Sequence, residues 1–151
     1  MSTTIGHKVL GQGPHKVIAL HPWLSDHTIF EPMFNYLDLE QFTYVFMDYR
    51  GYGQSKDLEG DHTLFEIAQD VINLADHLGF KQFHLLGNSM GGQVSQYLAG
   101  KYPKRIVSAI LLNPVPASGS QLLTATSGEF PKNVENRSLF RSSKNSGLHR
   151  C

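Results

Sequence analysis

Four short runs in this chain are almost wholly apolar: Val17-Ile18-Ala19-Leu20, Thr43 to Met47 (TYVFM), Phe83-His84-Leu85-Leu86 and Ile106 to Leu112 (IVSAILL). A strand with one wet face alternates polar and apolar residues. A strand that is apolar throughout is expected to be covered on both faces, as in a parallel sheet packed between helices. The intervening segments agree. Thr63 to Leu78 aligns Leu64, Ile67, Val71, Leu74 and Leu78 on one stripe, with capping-box spacing from Thr63 to Glu66 and a stop at Gly79. Ile29 to Leu39 and Met90 to Tyr102 are expected to be two further helices, the latter ending before Pro103. Lys8-Val9-Leu10 closes an additional first strand ahead of a turn at Gly11-Gln12-Gly13-Pro14. The alternation predicts the α/β class: a three-layer sandwich around a mostly parallel sheet, with right-handed crossovers.

Beyond Leu112 this pattern fails. Asn113 to Gly119 reads as a loop, and no run between Gln121 and Cys151 resembles a buried strand. Pro131 to Arg141 is expected to hold one short helix, and Ser142 to Gly147 to be disordered. The expected division is a core over 1–119 and a separate segment over 120–151.

Composition removes several function classes. Lys+Arg and Asp+Glu both number 13, so the formal charge is zero and no nucleic-acid or acidic-membrane surface is expected. The basic stretch from Lys132 to Arg150 reads as a solvated tail. The only cysteine is Cys151, which leaves no disulfide within the chain and no cysteine metal site. Met1-Ser2-Thr3-Thr4 is not expected to start a signal peptide, and no apolar run reaches membrane-spanning length. A soluble, cytoplasmic protein is expected, in which the sequon Asn136-Arg137-Ser138 has no consequence.

Three stretches carry chemistry. Gly87-Asn88-Ser89-Met90-Gly91-Gly92 lies where a strand hands over to a helix. A sharp turn there lifts the Ser89 hydroxyl above the sheet and sets the Met90 N–H at a helix N-terminus, where negative charge is stabilised. Gly87 and Gly91 are expected to avoid Cβ clashes, and Gly92 to let the helix approach the sheet. His21-Pro22-Trp23-Leu24-Ser25-Asp26 follows the run ending at Leu20. It is placed to give a second oxyanion N–H beside that of Met90, with Trp23 the first candidate and Leu24 the second. Trp23 serves alternatively as an apolar pocket wall, and His21 is read as a structural imidazole rather than a catalytic one. In Asp48-Tyr49-Arg50-Gly51-Tyr52-Gly53-Gln54-Ser55, Asp48 and Arg50 read as holding a fixed turn by charge-assisted hydrogen bonds, with direct substrate contact the alternative.

In this order, HPWLSDH, DYRGYGQS and GNSMGG resemble the oxyanion loop, the D-x-R-G-x-G-x-S turn and the nucleophile elbow of the α/β-hydrolase family, from about Lys8 to Gly119. Pro22 stands where the family usually has Gly. The resemblance is to its cofactor-free, esterase-like branch. Ser89 at the elbow argues against the haloalkane dehalogenases and epoxide hydrolases, which use Asp there. It implies a serine hydrolase acting on a small carboxylic ester or related acyl compound, with no cofactor and no metal. Perhydrolase, lyase and C–C hydrolase chemistry on the same elbow stay open.

The family's acid and histidine follow later strands, and none is expected here. The resemblance makes 120–151 the opening of a helical lid, cut short, or else a disordered tail. His149 has no strand before it. His84 is expected to point from its strand into a helix-covered face, while His7, His15, His27, His62 and His77 fall in turns or on helix surfaces. Glu129 and Glu135 are the only carboxylates after Asp76, and Asn113 is not an acid. Acid and base are therefore unassigned, and two readings stand: an enzyme with Ser89 as nucleophile, or a non-catalytic part of one. Without further strands, Ile106 to Leu112 becomes an open edge that invites self-association.

Overall fold

The computed structural model describes residues 4–118. The expected helix at 131–141, the disorder at 142–147, and the assignments made for 120–151, Glu129, Glu135 and His149 lie outside them. Five strands, β1 (His7–Leu10), β2 (His15–Leu20), β3 (Phe42–Met47), β4 (Phe83–Asn88) and β5 (Ile106–Leu112), form one sheet in the order β1-β3-β2-β4-β5. Only β1 runs antiparallel to its neighbour; the pairs β2–β3, β2–β4 and β4–β5 are parallel. His7 and His15 open β1 and β2 rather than lying in turns or on helices.

Helices α1 (Leu64–His77) and α2 (Met90–Lys101) cover one face. There Leu64, Ile67, Val71, Val94 and Leu98 pack on Ile18, Leu20, Val45, Met47 and Leu85. Residues of the opposite pleat, Val17, Ala19, Phe46 and Leu86, pack against Phe30, Met33 and Phe34. The result is the expected three-layer α/β architecture.

The second layer differs from expectation in kind. His27–Tyr36 is a 3-10 helix, not the α-helix expected over Ile29 to Leu39. Asp26 caps it by accepting from the Thr28 N–H at 2.9 Å, and Pro32 sits inside it. Proline has no N–H to give to a helical ladder, so a continuous α-helical pattern is interrupted there. The α1 helix begins and ends as expected. Thr63 accepts from the Glu66 N–H at 3.2 Å, but the Glu66 carboxylate reaches back past the cap, to the N–H groups of His62 (2.8 Å) and Asp61 (3.2 Å). At the other end Gly79 takes φ +73°, and the bonds Phe80 N–H to Ala75 O and Gly79 N–H to Asp76 O close a Schellman motif.

One expectation about the strands is corrected. β5 is not covered on both faces among the described residues: Val107 is 54% exposed, Ile110 59% and Leu112 44%. It is the last strand of the sheet, with β4 on one side only. Its apolar composition belongs to a strand with more neighbours than the described residues supply. His84, paired with Val17 in the register, shares the pleat of Leu86 that faces Phe30 and Phe34, and its half-buried ring meets Ser108 of β5, Nδ1 to Oγ at 2.8 Å.

Candidate active site

The parallel register decides what meets what. Leu20 of β2 lies between Met47 of β3 and Gly87 of β4. The segments that follow, His21 to Asp26, Asp48 to Ser55 and the serine turn, therefore leave the same end of the sheet from three adjacent strands. Open α/β sheets form their sites at that end.

Ser89 stands between β4 and α2 with φ 52° and ψ −110°. A non-glycine residue with positive φ is strained and persists where surrounding structure over-determines it. Here the Ser89 N–H donates to Leu112 O at 2.9 Å, and the Ser89 carbonyl accepts from the N–H groups of Gly92 and Val115, both at 3.0 Å. The hydroxyl makes no capping bond to α2. Met90 is the first residue of α2, so its N–H has no partner within the helix. Leu24, in the neighbouring loop, also has positive φ, 56°. Trp23 and Leu24 are exposed, at 41% and 62%.

The glycines divide their work differently from expectation. A Cβ on Gly87 would overlap the Gly91 carbonyl. It is Gly91, however, that lets α2 dock on the sheet, because its Cβ would overlap the Leu20 carbonyl; a Cβ on Gly92 would meet Pro114 instead, 2.6 Å away. Gly91→Ala is expected to destabilise the protein by about 1–3 kcal/mol through overpacking. Gly100→Ala, in the same helix with open space around it, should stabilise by roughly 0.5–1 kcal/mol. Urea denaturation of the two variants checks the pair.

His21 is fully buried. Its Nε2 accepts from the Tyr49 N–H at 3.3 Å, so Nδ1 carries the proton and donates to Pro22 O at 2.8 Å. The Tyr49 ring packs on it at 3.8 Å between centroids, and the Tyr49 hydroxyl donates to the His21 carbonyl at 2.7 Å. Both imidazole nitrogens are committed, as a structural role requires. Burial holds His21 below its ordinary value of 6.5 despite the Pro22 bond and the charge of Asp48. Burial, with His15 nearby, lowers His84 as well. The unfolded chain therefore takes up protons on these groups first, and stability falls as pH drops below about 6.5. Melting temperature should decline between pH 8 and 5, and His21→Gln should flatten part of that slope.

Asp48 is fully buried and takes three donors: the His27 N–H at 2.7 Å and His27 Nδ1 at 2.8 Å, with the Gln54 N–H at 2.9 Å. Arg50 turns away to α1 and grips Asp70 in a fork, Nε at 2.7 Å and Nη2 at 2.9 Å, which raises its already high pKa. Asp48 and Arg50 bond to separate partners rather than to each other. Ser55 accepts from the Gly6 N–H at 2.7 Å. Sequence reasoning had no signal for His27, Tyr49 or Asp70 as these partners. Asp26, His27 and Asp48 also bring ligand-type atoms within 4.8 Å of one another. Those atoms are already engaged with each other, with Thr28 and with Gln54, which is the arrangement of a structural clamp.

A model of the alpha/beta hydrolase fold matches residues 16–147. The chain belongs to this family. It is 38% identical over 106 residues to the serine hydrolase BPHL of Mus musculus, a match covering 68% of this chain and 36% of that protein. Among solved structures it is similar to the esterase EaEST from Exiguobacterium antarcticum, with 30% identity and a TM-score of 0.65 over 73% of this chain and 41% of that one. A thermophilic esterase from Thermogutta terrifontis is similar at 31% identity and a TM-score of 0.66, over 73% and 40%. The chain thus spans well under half the length of these alpha/beta hydrolases. Among the described residues no histidine is hydrogen-bonded to Ser89, and no helix is long and apolar enough to cross a membrane.

Proposed function

We propose that this chain carries the nucleophile half of a serine hydrolase for a small carboxylic ester or related acyl compound, acting in the cytoplasm without a cofactor. The observation that carries the reading is the strained turn at Ser89, with its hydroxyl unused by the helix it precedes. Ser89 Oγ attacks the acyl carbon. The Met90 N–H, at the positive end of α2, receives the developing oxyanion together with a loop N–H from Trp23, or from Leu24 as second candidate. His21, Asp48 and Arg50 hold the loops that present these groups.

That no histidine among the described residues is hydrogen-bonded to Ser89 favours a second reading, in which the chain keeps this half of the fold and does no turnover of its own. A fluorophosphonate probe and a short-chain aryl ester separate the two. The enzyme reading expects labelling and turnover that disappear in Ser89→Ala. Equal, unspecific rates in the wild type and Ser89→Ala would remove Ser89 from the chemistry.

A further inference from the structure

A row of side chains crosses the sheet at the end away from Ser89. Phe42 opens β3 in register with His15, which opens β2. His84 of β4 is in register with Val17, two residues along from His15, so both imidazoles project from one face. β2 and β4 each have a strand neighbour on both sides, so this pair belongs to the interior of the sheet and not to its edge.

The ring centres of His15 and His84 are 6.2 Å apart, with the planes at 65°. Phe42 packs against His15, with ring centres 5.4 Å apart. These two ring contacts are all that engages the His15 imidazole among the described residues. His84 meets Ser108 Oγ through Nδ1 at 2.8 Å, a bond that leaves Nε2 unused.

We propose that His15 and His84 together bind a divalent transition-metal ion, zinc foremost, as a staple between β2 and β4. Imidazole nitrogen suits zinc, copper and nickel, whereas magnesium and calcium seek oxygen. Two imidazoles sharing a tetrahedral zinc at roughly 2.0–2.1 Å per bond have ring centres about 5 Å apart. His15 is exposed and held by no hydrogen bond, so a small side-chain rotation closes the pair. Ser108 supplies the outer contact that metal-bound histidines use: Nδ1–H donates to it, which fixes the ring plane and turns the Nε2 lone pair to the ion. Water completes the coordination on the exposed side. Asp26, His27 and Asp48 differ in this respect, because His27 Nδ1 is already spent on Asp48.

The staple acts on the fold and not on the reaction. Roughly 16 Å of strand separates His84 from Ser89. The two ligands lie far apart in sequence and meet only when β2 and β4 pair, so an ion that binds them favours the folded chain by mass action. β2 leads into the loop of Trp23 and β4 into Ser89, so the ion ties together the strands that present both.

The test uses the full 151-residue chain in a Cys151→Ser background, which removes the one thiol. Calorimetric titration with Zn²⁺ should show a site, and Zn²⁺ should raise the melting temperature where Mg²⁺ does not. His15→Ala and His84→Ala should each weaken zinc binding by at least about 10-fold and remove the thermal shift, and Ser108→Ala should weaken binding by roughly 10-fold. His15→Ala decides the matter if His84→Ala disturbs the strand, because His15 is exposed; an unchanged zinc-free melting temperature confirms that it folds. Zinc binding that survives both histidine substitutions would overturn the proposal. So would binding lost in His27→Ala alone, which would assign the ion to the Asp26–His27–Asp48 group. A titration without heat and without a thermal shift would overturn it as well.

Discussion

Asp48→Ala should cost about 3–5 kcal/mol, because it leaves three buried N–H donors without their acceptor at roughly 1–3 kcal/mol each, out of the roughly 5–15 kcal/mol that holds a domain together. Asp48 has no exposed surface, and its carboxylate gathers donors from two loops: the His27 backbone and ring, and the Gln54 backbone. Alanine leaves all three N–H groups facing each other around a void. His27→Ala removes only the ring donor and should cost less, on the order of 1–3 kcal/mol. Because the two residues share one network, the double variant should cost less than the sum of the singles. Urea midpoints of the four proteins measure this cycle. Additive losses would show that the His27–Asp48 contact does not hold the loop. The consequence for chemistry runs through geometry: residues 21–27 are tied at one end by His21 to Tyr49 and at the other by His27 to Asp48. Releasing either end should loosen Trp23, the first candidate oxyanion donor.

The 151-residue chain itself should show little esterase turnover. A serine hydroxyl is a weak nucleophile until a base takes its proton, and among the described histidines His21, His27 and His84 are spent on Pro22 and Tyr49, on Asp48 and on Ser108. With no histidine among the described residues hydrogen-bonded to Ser89, the oxyanion donors are expected to act without a base. In serine proteases, loss of a triad member still leaves roughly 10³–10⁴-fold over water, so an activated aryl ester should be cleaved slowly and detectably. That rate should vary little around pH 7, because no histidine titrates in the step. Ser89→Ala should abolish it, and His→Ala variants at the histidines other than His21 and His27, which tie the oxyanion loop, should leave it nearly unchanged. Brisk turnover with a bell-shaped pH profile, lost in Ser89→Ala and in one histidine variant, would contradict this expectation and identify the base.

Local sequence determined the parts whose physics is local. A strand buried on both faces must be apolar at nearly every position, so β2, β3 and β4 could be read directly. Thr63 and Gly79 marked the ends of α1 because caps satisfy backbone groups only a few residues away. The turn at Ser89 was legible for the same reason: crowding between a strand end and a helix start admits small residues at fixed offsets. Through-space partners were not legible. That Asp48 and Arg50 need partners follows from their charge, but that Asp48 takes His27 while Arg50 takes Asp70 depends on β3 lying beside β2 and on α1 crossing back over the turn. Pro32 was visible in the sequence, yet packing of Phe30, Met33 and Phe34 on Phe46 and its neighbours accompanies a 3-10 helix there. The exposure of β5 could not follow from its composition. Apolar residues state that a strand prefers to be covered, and only the strand order shows which side has a neighbour to cover it.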